Sequence, residues 1–259
     1  MTDGSELYGA DFSDDAVVSW YESESDRWTR RYEEFEPRPY SDHALNVRHG
    51  YRWTQLDYAS RALAFGGGKG DELLPVADRL GHVTIIEPVS ALARGDLAGV
   101  PVTFHGPSPT GVIEHPDGVF DLITCFGALT YVANARDVFS ELVRCLAPGG
   151  WLLIREPIVA MNLEMPASAR LGNHGRGLPL PIFRSLVRES GLETVRETLC
   201  VFSPIGKLIP EPYNRSWAVR LDALLCTAMR WNVHYRADHP WQKLRPKWAF
   251  YALRRVKAY

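Results

Sequence analysis

Ala62-Leu63-Ala64-Phe65-Gly66-Gly67-Gly68-Lys69-Gly70-Asp71 decides how the rest of the chain is read. A short apolar run enters a Gly-x-Gly-x-Gly loop, and a helical stretch follows. Glycine permits positive φ in a tight turn and lets backbone approach a ligand closely. The helix behind the loop offers free N–H groups to polar ligand atoms. Pro75 falls within about the first turn and a half of that helix, where few backbone N–H bonds are lost. Alone, such a loop is either a plain tight turn or the floor of a site for any nucleotide-type cofactor.

Outward from the loop, short apolar runs alternate with helical stretches. Arg61–Phe65 reads as a strand, and the helix after the loop runs to about Leu80. Val83–Glu87 is a second strand, followed by a short helix near Ser90–Leu97. Val102–His105 and Phe120–Cys125 are the third and fourth strands. Asn134–Leu146 is a helix closed by Ala147-Pro148-Gly149-Gly150, and Trp151–Glu156 is a fifth strand. Strands alternating with helices at this spacing imply a parallel sheet covered on both faces. Beyond it, Leu180–Ser190 is a helix ending on Gly191, Glu193–Phe202 a sixth strand, Ser216–Trp231 a helix and Trp248–Arg254 a final strand. Upstream, Val17, Tyr21, Trp28, Tyr32 and Phe35 form a helical apolar stripe that Pro37 and Pro39 end. Ser41 and Asp42 start a second helix, to about Tyr58. Residues 1–16 read as a loose acidic tail.

The chain has 259 residues and a formal net charge of −2, with 46% hydrophobic and 23% charged residues. These are ordinary globular values, fitting one large domain or a core domain with an appended cap, and they argue against a sequence-independent nucleic-acid binder. Charge is uneven: residues 1–36 carry eleven acids and three bases, and residues 241–259 carry six Lys or Arg and no acid. Cys125, Cys145, Cys200 and Cys226 lack metal-ligand spacing, so buried reduced thiols and no metal site are expected. No signal sequence or long apolar run is visible, and a cytoplasmic location is expected.

Seventeen residues after Gly70, Glu87 ends the second strand in Ile85-Ile86-Glu87-Pro88. A carboxylate there is placed to accept both ribose hydroxyl protons of a nucleoside cofactor. Nicotinamide and methyl-transfer chemistry both remain open at this point. Two further segments separate them: Phe120-Asp121-Leu122-Ile123-Thr124-Cys125-Phe126-Gly127-Ala128-Leu129-Thr130-Tyr131-Val132, and Leu142-Val143-Arg144-Cys145-Leu146-Ala147-Pro148-Gly149-Gly150-Trp151-Leu152-Leu153-Ile154. From about residue 60 to 156 the series resembles the class I S-adenosylmethionine-dependent methyltransferases in order and spacing.

That resemblance implies a Rossmann-like α/β fold. Its seven-stranded, mostly parallel sheet has an antiparallel last strand, with an N-terminal helical cap and an insertion before the last strand. Residues 1–58 would form the tail and cap, and 59–259 the cofactor-binding core with a cap insertion at about 203–247. The resemblance also implies S-adenosyl-L-methionine as cofactor. It places Gly66, Gly68 and Gly70 at the methionine moiety, Glu87 with Pro88 at the ribose, His105 on the adenine side, and Phe126 and Gly127 facing cofactor and acceptor. Two positions depart from the family pattern. Ala64 stands where the first strand usually carries an Asp that helps hold the loop. Phe104-His105-Gly106-Pro107-Ser108 stands where an Asp near the adenine amine is common, and His105 or Ser108 could take that place.

Methyl transfer is an in-line displacement in which the protein mainly positions and desolvates the reactants. A hydroxyl acceptor usually needs a general base within hydrogen-bond reach. The candidates are Tyr131 just past the fourth strand, His174 in Gly172-Asn173-His174-Gly175, Glu156 at the end of the fifth strand, and His105, which reads rather as a neighbour of the adenine. Aromatic residues outside the sheet, Trp20 and Tyr21 upstream and Trp217, Trp231 and Trp241 downstream, suggest lids over a partly hydrophobic pocket. The expected function is methylation of an oxygen or nitrogen of a small molecule, such as a secondary metabolite or antibiotic intermediate, by a monomer or homodimer. Arginine outnumbers lysine 24 to 5, which points to a GC-rich coding genome and carries that last step by analogy. Weighed against it are a protein methyltransferase, a nucleic-acid methyltransferase, a non-catalytic cofactor-binding protein on the same fold and an NAD-dependent oxidoreductase. A nucleic-acid enzyme would need a broad basic face, and the short-chain oxidoreductases carry a Tyr-x-x-x-Lys pair that is missing here.

Overall fold

The computed structural model describes residues 13–34, 40–54, 56–132, 134–160 and 177–257. Eight strands form one sheet: β1 (Ala59–Phe65), β2 (Leu80–Ile86), β3 (Asp96–Leu97), β4 (Val100–His105), β5 (Phe120–Phe126), β6 (Leu146–Pro157), β7 (Glu193–Phe202) and β8 (Pro246–Arg254). Their order across the sheet is β3-β4-β2-β1-β5-β6-β8-β7. β4, β2, β1, β5 and β6 are mutually parallel. β8 runs antiparallel between β6 and β7, as the sequence implied for the last strand.

The strand beyond the seven expected is β3. A helix was expected at Ser90–Leu97, but only Ser90–Leu92 winds, as a 3-10 turn, and Asp96–Leu97 pairs with Val100–Pro101. Ala98 and Gly99 both adopt positive φ, the geometry of a two-residue hairpin turn whose twist matches its strands. The segment after the glycine loop also differs. Asp71–Arg79 is a 3-10 helix. Pro75 can neither donate to the carbonyl four residues back nor clear it sterically, which disfavours α winding there. The second upstream helix is short for a similar local reason: α2 (His43–His49) stops at Gly50 and passes into a 3-10 turn over Tyr51–Trp53.

Strand alternation sends side chains to two cores. On one face Leu63, Ile123, Ile154 and Tyr251 pack against α3 (Ala135–Cys145) and α4 (Leu180–Glu189) through Phe139, Leu142, Phe183 and Leu186. On the other, Ala62, Leu122, Leu153 and Phe250 meet Leu45 of α2, Leu73 and Val76 of the 3-10 helix, and Val219 of α6 (Ser216–Ala228), which follows the one-turn helix α5 (Ile205–Leu208). α1 (Asp14–Glu34) lies over the carboxyl edge of the sheet and buries Val17. The four cysteines are buried and unbridged. Among the described residues no helix is long and apolar enough to cross a membrane.

Candidate active site

Strand order reverses at β1, between β2 and β5, and the crevice beyond their carboxyl ends is where open α/β sheets bind ligands. Gly66 leaves β1 donating its N–H to the Ile86 carbonyl at 2.8 Å. Gly66 and Gly68 hold φ of +65° and +55°, a region L side chains rarely enter. A Cβ on Gly66 would stand 2.4 Å from the Ala128 Cβ, so the loop and the turn after β5 touch without room for a methyl group. Outside the loop, Arg94 donates to Asp71 at 3.1 Å and to the Lys69 carbonyl at 3.4 Å.

Glu87 follows β2 directly. One of its carboxylate oxygens accepts the Gly68 N–H at 3.0 Å, and the other accepts the Val89 N–H at 3.3 Å. A carboxylate has about four acceptor sites, so two remain. Burial raises the Glu87 pKa above the usual carboxylate value, and these N–H donors pull it back.

Above the loop lie two connected compartments. The first, about 260 Å³, has Gly66 and Gly68 as floor, Glu87 as one wall, Ala128 and Tyr131 as the other, and Trp20 and Tyr21 of α1 as cover. The second, about 290 Å³, is lined by His105, Ser108, Glu114 and His115. Tyr21, Phe65, Ile86 and Pro107 border both. A floor that a Cβ would fill, a carboxylate with free acceptor sites and an elongated two-part space suit a nucleoside bearing an amino-acid tail.

Gly66, Gly68, Glu87, Pro88 and Gly127 line the first compartment, and His105 lines the second. Gly70 and Phe126 line neither. A Cβ on Gly70 would meet Ile85 Cδ1 at 2.9 Å, so that glycine faces the sheet. The Phe126 ring turns to the opposite face, 5.4 Å from the Phe250 ring and 5.3 Å from the Arg155 guanidinium. Tyr131 lines the first compartment and stacks on Trp20, with ring centroids 6.4 Å apart and planes 12° from parallel. Glu156 is fully buried and lines neither compartment. Its carboxyl accepts the Leu129 N–H at 3.0 Å, and burial pushes its pKa up to about 8. It supports the 128–130 turn from beneath. His174 lies outside the described residues. No residue of the 203–247 segment borders either compartment.

A family profile described as a methyltransferase domain matches residues 26–197. The chain belongs to the class I S-adenosylmethionine-dependent methyltransferases. Among curated relatives, the ubiquinone biosynthesis O-methyltransferase of Burkholderia ambifaria (strain MC40-6) is 27% identical over 201 residues, covering 70% of this chain and 84% of that protein. The corresponding enzyme of Burkholderia vietnamiensis is 26% identical over the same shares. Among solved structures, phosphoethanolamine N-methyltransferase 2 of Haemonchus contortus, in complex with S-adenosyl-L-methionine, shares the fold. Its TM-score is 0.54 at 16% identity, over 82% of this chain and 52% of that one. The cyclase SpnF shares it too, at TM-score 0.53 and 20% identity, over 83% and 80%.

This methyltransferase lacks the usual acid at position 64, and the structure puts another carboxyl in that neighbourhood. A Cβ on Gly67 would sit 2.5 Å from the Ala64 Cβ and 2.6 Å from Glu72 Oε1, so the Glu72 carboxyl lies beside Ala64. Thr124, paired with Ala64 across the strands, brings its hydroxyl to 3.4 Å from the same oxygen. Tyr51 anchors the backbone there, its hydroxyl donating to the Glu72 carbonyl at 2.8 Å. Burial raises the Glu72 pKa to about 8. A sequence search for an acid on the strand overlooks Glu72. Its signal was the acidic pair Asp71-Glu72 directly after the last glycine.

Proposed function

We propose that this methyltransferase moves a methyl group from S-adenosyl-L-methionine to an oxygen of a small, partly hydrophobic acceptor of the secondary-metabolite kind, with nitrogen as the other acceptor atom. The observation that carries this reading is the first compartment: a glycine floor and Glu87 on one side, the stacked Trp20 and Tyr131 on the other. Oxygen is favoured by the curated O-methyltransferase relatives. The cofactor, when bound, supplies an electrophilic methyl on a positive sulfur, and the chain's residues position and desolvate the acceptor against it.

In this reading Gly66 and Gly68 face the amino-acid end of the cofactor, and Glu87 and Pro88 hold the ribose. His105 lies on the adenine side, and Gly127 borders the methyl. Glu72 supports the loop from within, in place of the missing strand acid. The flat walls of Trp20 and Tyr131 receive an aromatic or otherwise apolar acceptor. Burial and the nearby Glu87 charge push the Tyr21 pKa up to about 12, so that phenol keeps its proton and orients rather than abstracts. Tyr131 is the described candidate to take the proton of a hydroxyl acceptor.

The test is a methyl-transfer screen with radiolabelled cofactor and paired phenolic and amine acceptors. Label entering phenols and leaving amines untouched supports the oxygen reading. Label in amines alone overturns it.

A further inference from the structure

A second concave surface lies away from the cofactor compartments and shares no lining residue with them. This groove of about 1040 Å³ runs between α2, the edge strand β7 and α6. Arg48, Arg52, Arg196, Arg220 and Arg230 converge on it. The chain as a whole carries a net charge of −2, so this is a local concentration rather than a bulk property. None of the five forms an ion pair with a carboxylate of a described residue. The groove's own carboxylate, Glu197, is taken by Arg184 at 2.7 Å.

The arginines are organised rather than scattered. Arg52 and Arg196 both lie over the Trp53 indole, 5.0 and 4.9 Å from its ring centroid. The indole N–H is tied to the Arg48 carbonyl at 3.2 Å, so the ring that carries them is itself fixed. Burial first, and then the charges of Arg52, Arg220 and Arg196, lower the Arg48 pKa, which places those charges close by. Crowded like charges are destabilising unless an anion compensates them.

Two buried polar atoms supply a separate observation. His49 is 3% exposed, and its Nε2 has no hydrogen-bond partner. Thr198 Oγ1 is likewise buried and unpartnered, and both residues line the groove. Buried polar atoms are nearly always paired, so these two at the groove wall are open to a polar atom entering the groove, whether water or ligand.

We propose that this groove is a second binding site, for a small molecule carrying two or more adjacent phosphate groups. Guanidinium pairs recognise phosphate oxygens bidentately, and several fixed pairs favour adjacent phosphates over a single one.

Calorimetric titration of the full chain with pyrophosphate, ATP and inorganic phosphate tests the proposal. Pyrophosphate or ATP should bind at least ten times more tightly than phosphate, with an affinity that falls as salt rises. The double substitution Arg48→Ala/Arg220→Ala should weaken that binding at least tenfold and leave S-adenosylhomocysteine affinity unchanged. If that variant melts early, Arg52→Ala/Arg230→Ala, both on exposed arginines, replaces it. Pyrophosphate no tighter than phosphate would mean an adventitious ion only, and overturns the proposal. So do silence toward all three anions at millimolar concentration and binding undiminished in the variants. Binding of single-stranded RNA or anionic vesicles without pyrophosphate binding would overturn it too, in favour of a macromolecular surface.

Discussion

Replacing Glu87 with alanine separates the hydrogen bonds its carboxylate makes to the loop from its proposed hold on the cofactor ribose. The variant loses acceptors for the Gly68 and Val89 N–H groups, at 3.0 and 3.3 Å. Those bonds exist with or without cofactor, so their loss appears mainly as stability. Glu87 is half-buried, water can replace part of what is lost, and each bond contributes about 1 kcal/mol or somewhat more. Cofactor affinity should fall for another reason: the ribose hydroxyls lose a charged acceptor. Charge-assisted bonds of this kind contribute about 1–3 kcal/mol in total, or roughly 5- to 150-fold in Kd. Glu87→Gln, which keeps one acceptor oxygen but no charge, should fall between. Because burial raises the Glu87 pKa, wild-type affinity should weaken as pH falls through that raised value, whereas Glu87→Gln should show no such decline. Calorimetry with S-adenosylhomocysteine measures all three proteins, and thermal melts confirm folding. A folded Glu87→Ala protein with wild-type affinity would refute the ribose role.

Gly66→Ala forces a side chain into positive φ and puts a methyl 2.4 Å from the Ala128 Cβ. It should lower stability by about 2–4 kcal/mol, read from denaturant midpoints, and abolish cofactor binding. Tyr131→Phe keeps the stack on Trp20 and removes the hydroxyl. If Tyr131 is the base, kcat should drop at least about 100-fold with cofactor affinity unchanged, and intact turnover would exclude it. Glu72 has its pKa raised from 4.5 to about 8, so the folded state holds its proton more tightly than the unfolded state does. Its stability contribution is therefore full below the unfolded value and is lost as pH rises toward about 8. Glu72→Gln should remove a slope of up to about 1.4 kcal/mol per pH unit in that window, measured as melts of variant and wild type at pH 5 to 8.

Most of the architecture is local information. Periodicity of two or nearly four, ended by Gly and Pro, located most strands and helices within a few residues, and β7 matches at both ends, whereas α2 stops at His49 well short of Tyr58 and β6 already begins at Leu146 rather than Trp151. The misreadings came where backbone chemistry competes with pattern: Pro75 tightening a helix, and Ala98-Gly99 folding a hairpin out of a helical composition. At the site, Glu87 was legible because a strand end fixes where its carboxyl goes. Phe126 and Glu156 were harder, since one residue of strand phase decides whether a side chain faces the crevice or the core. Glu72 is close to Ala64 in sequence, but the path of the glycine loop and the 3-10 helix, not a periodic pattern, sets its carboxyl there, whereas the arginine groove joins residues far apart in sequence that only the packed fold brings together.

A crystal structure with S-adenosylhomocysteine bound would settle this placement of the cofactor. The ribose hydroxyls should lie within about 3 Å of the Glu87 carboxylate, the amino-acid end over Gly66 and Gly68, and the sulfur should face Tyr131. Ligand density elsewhere, or none under saturating ligand, would contradict it.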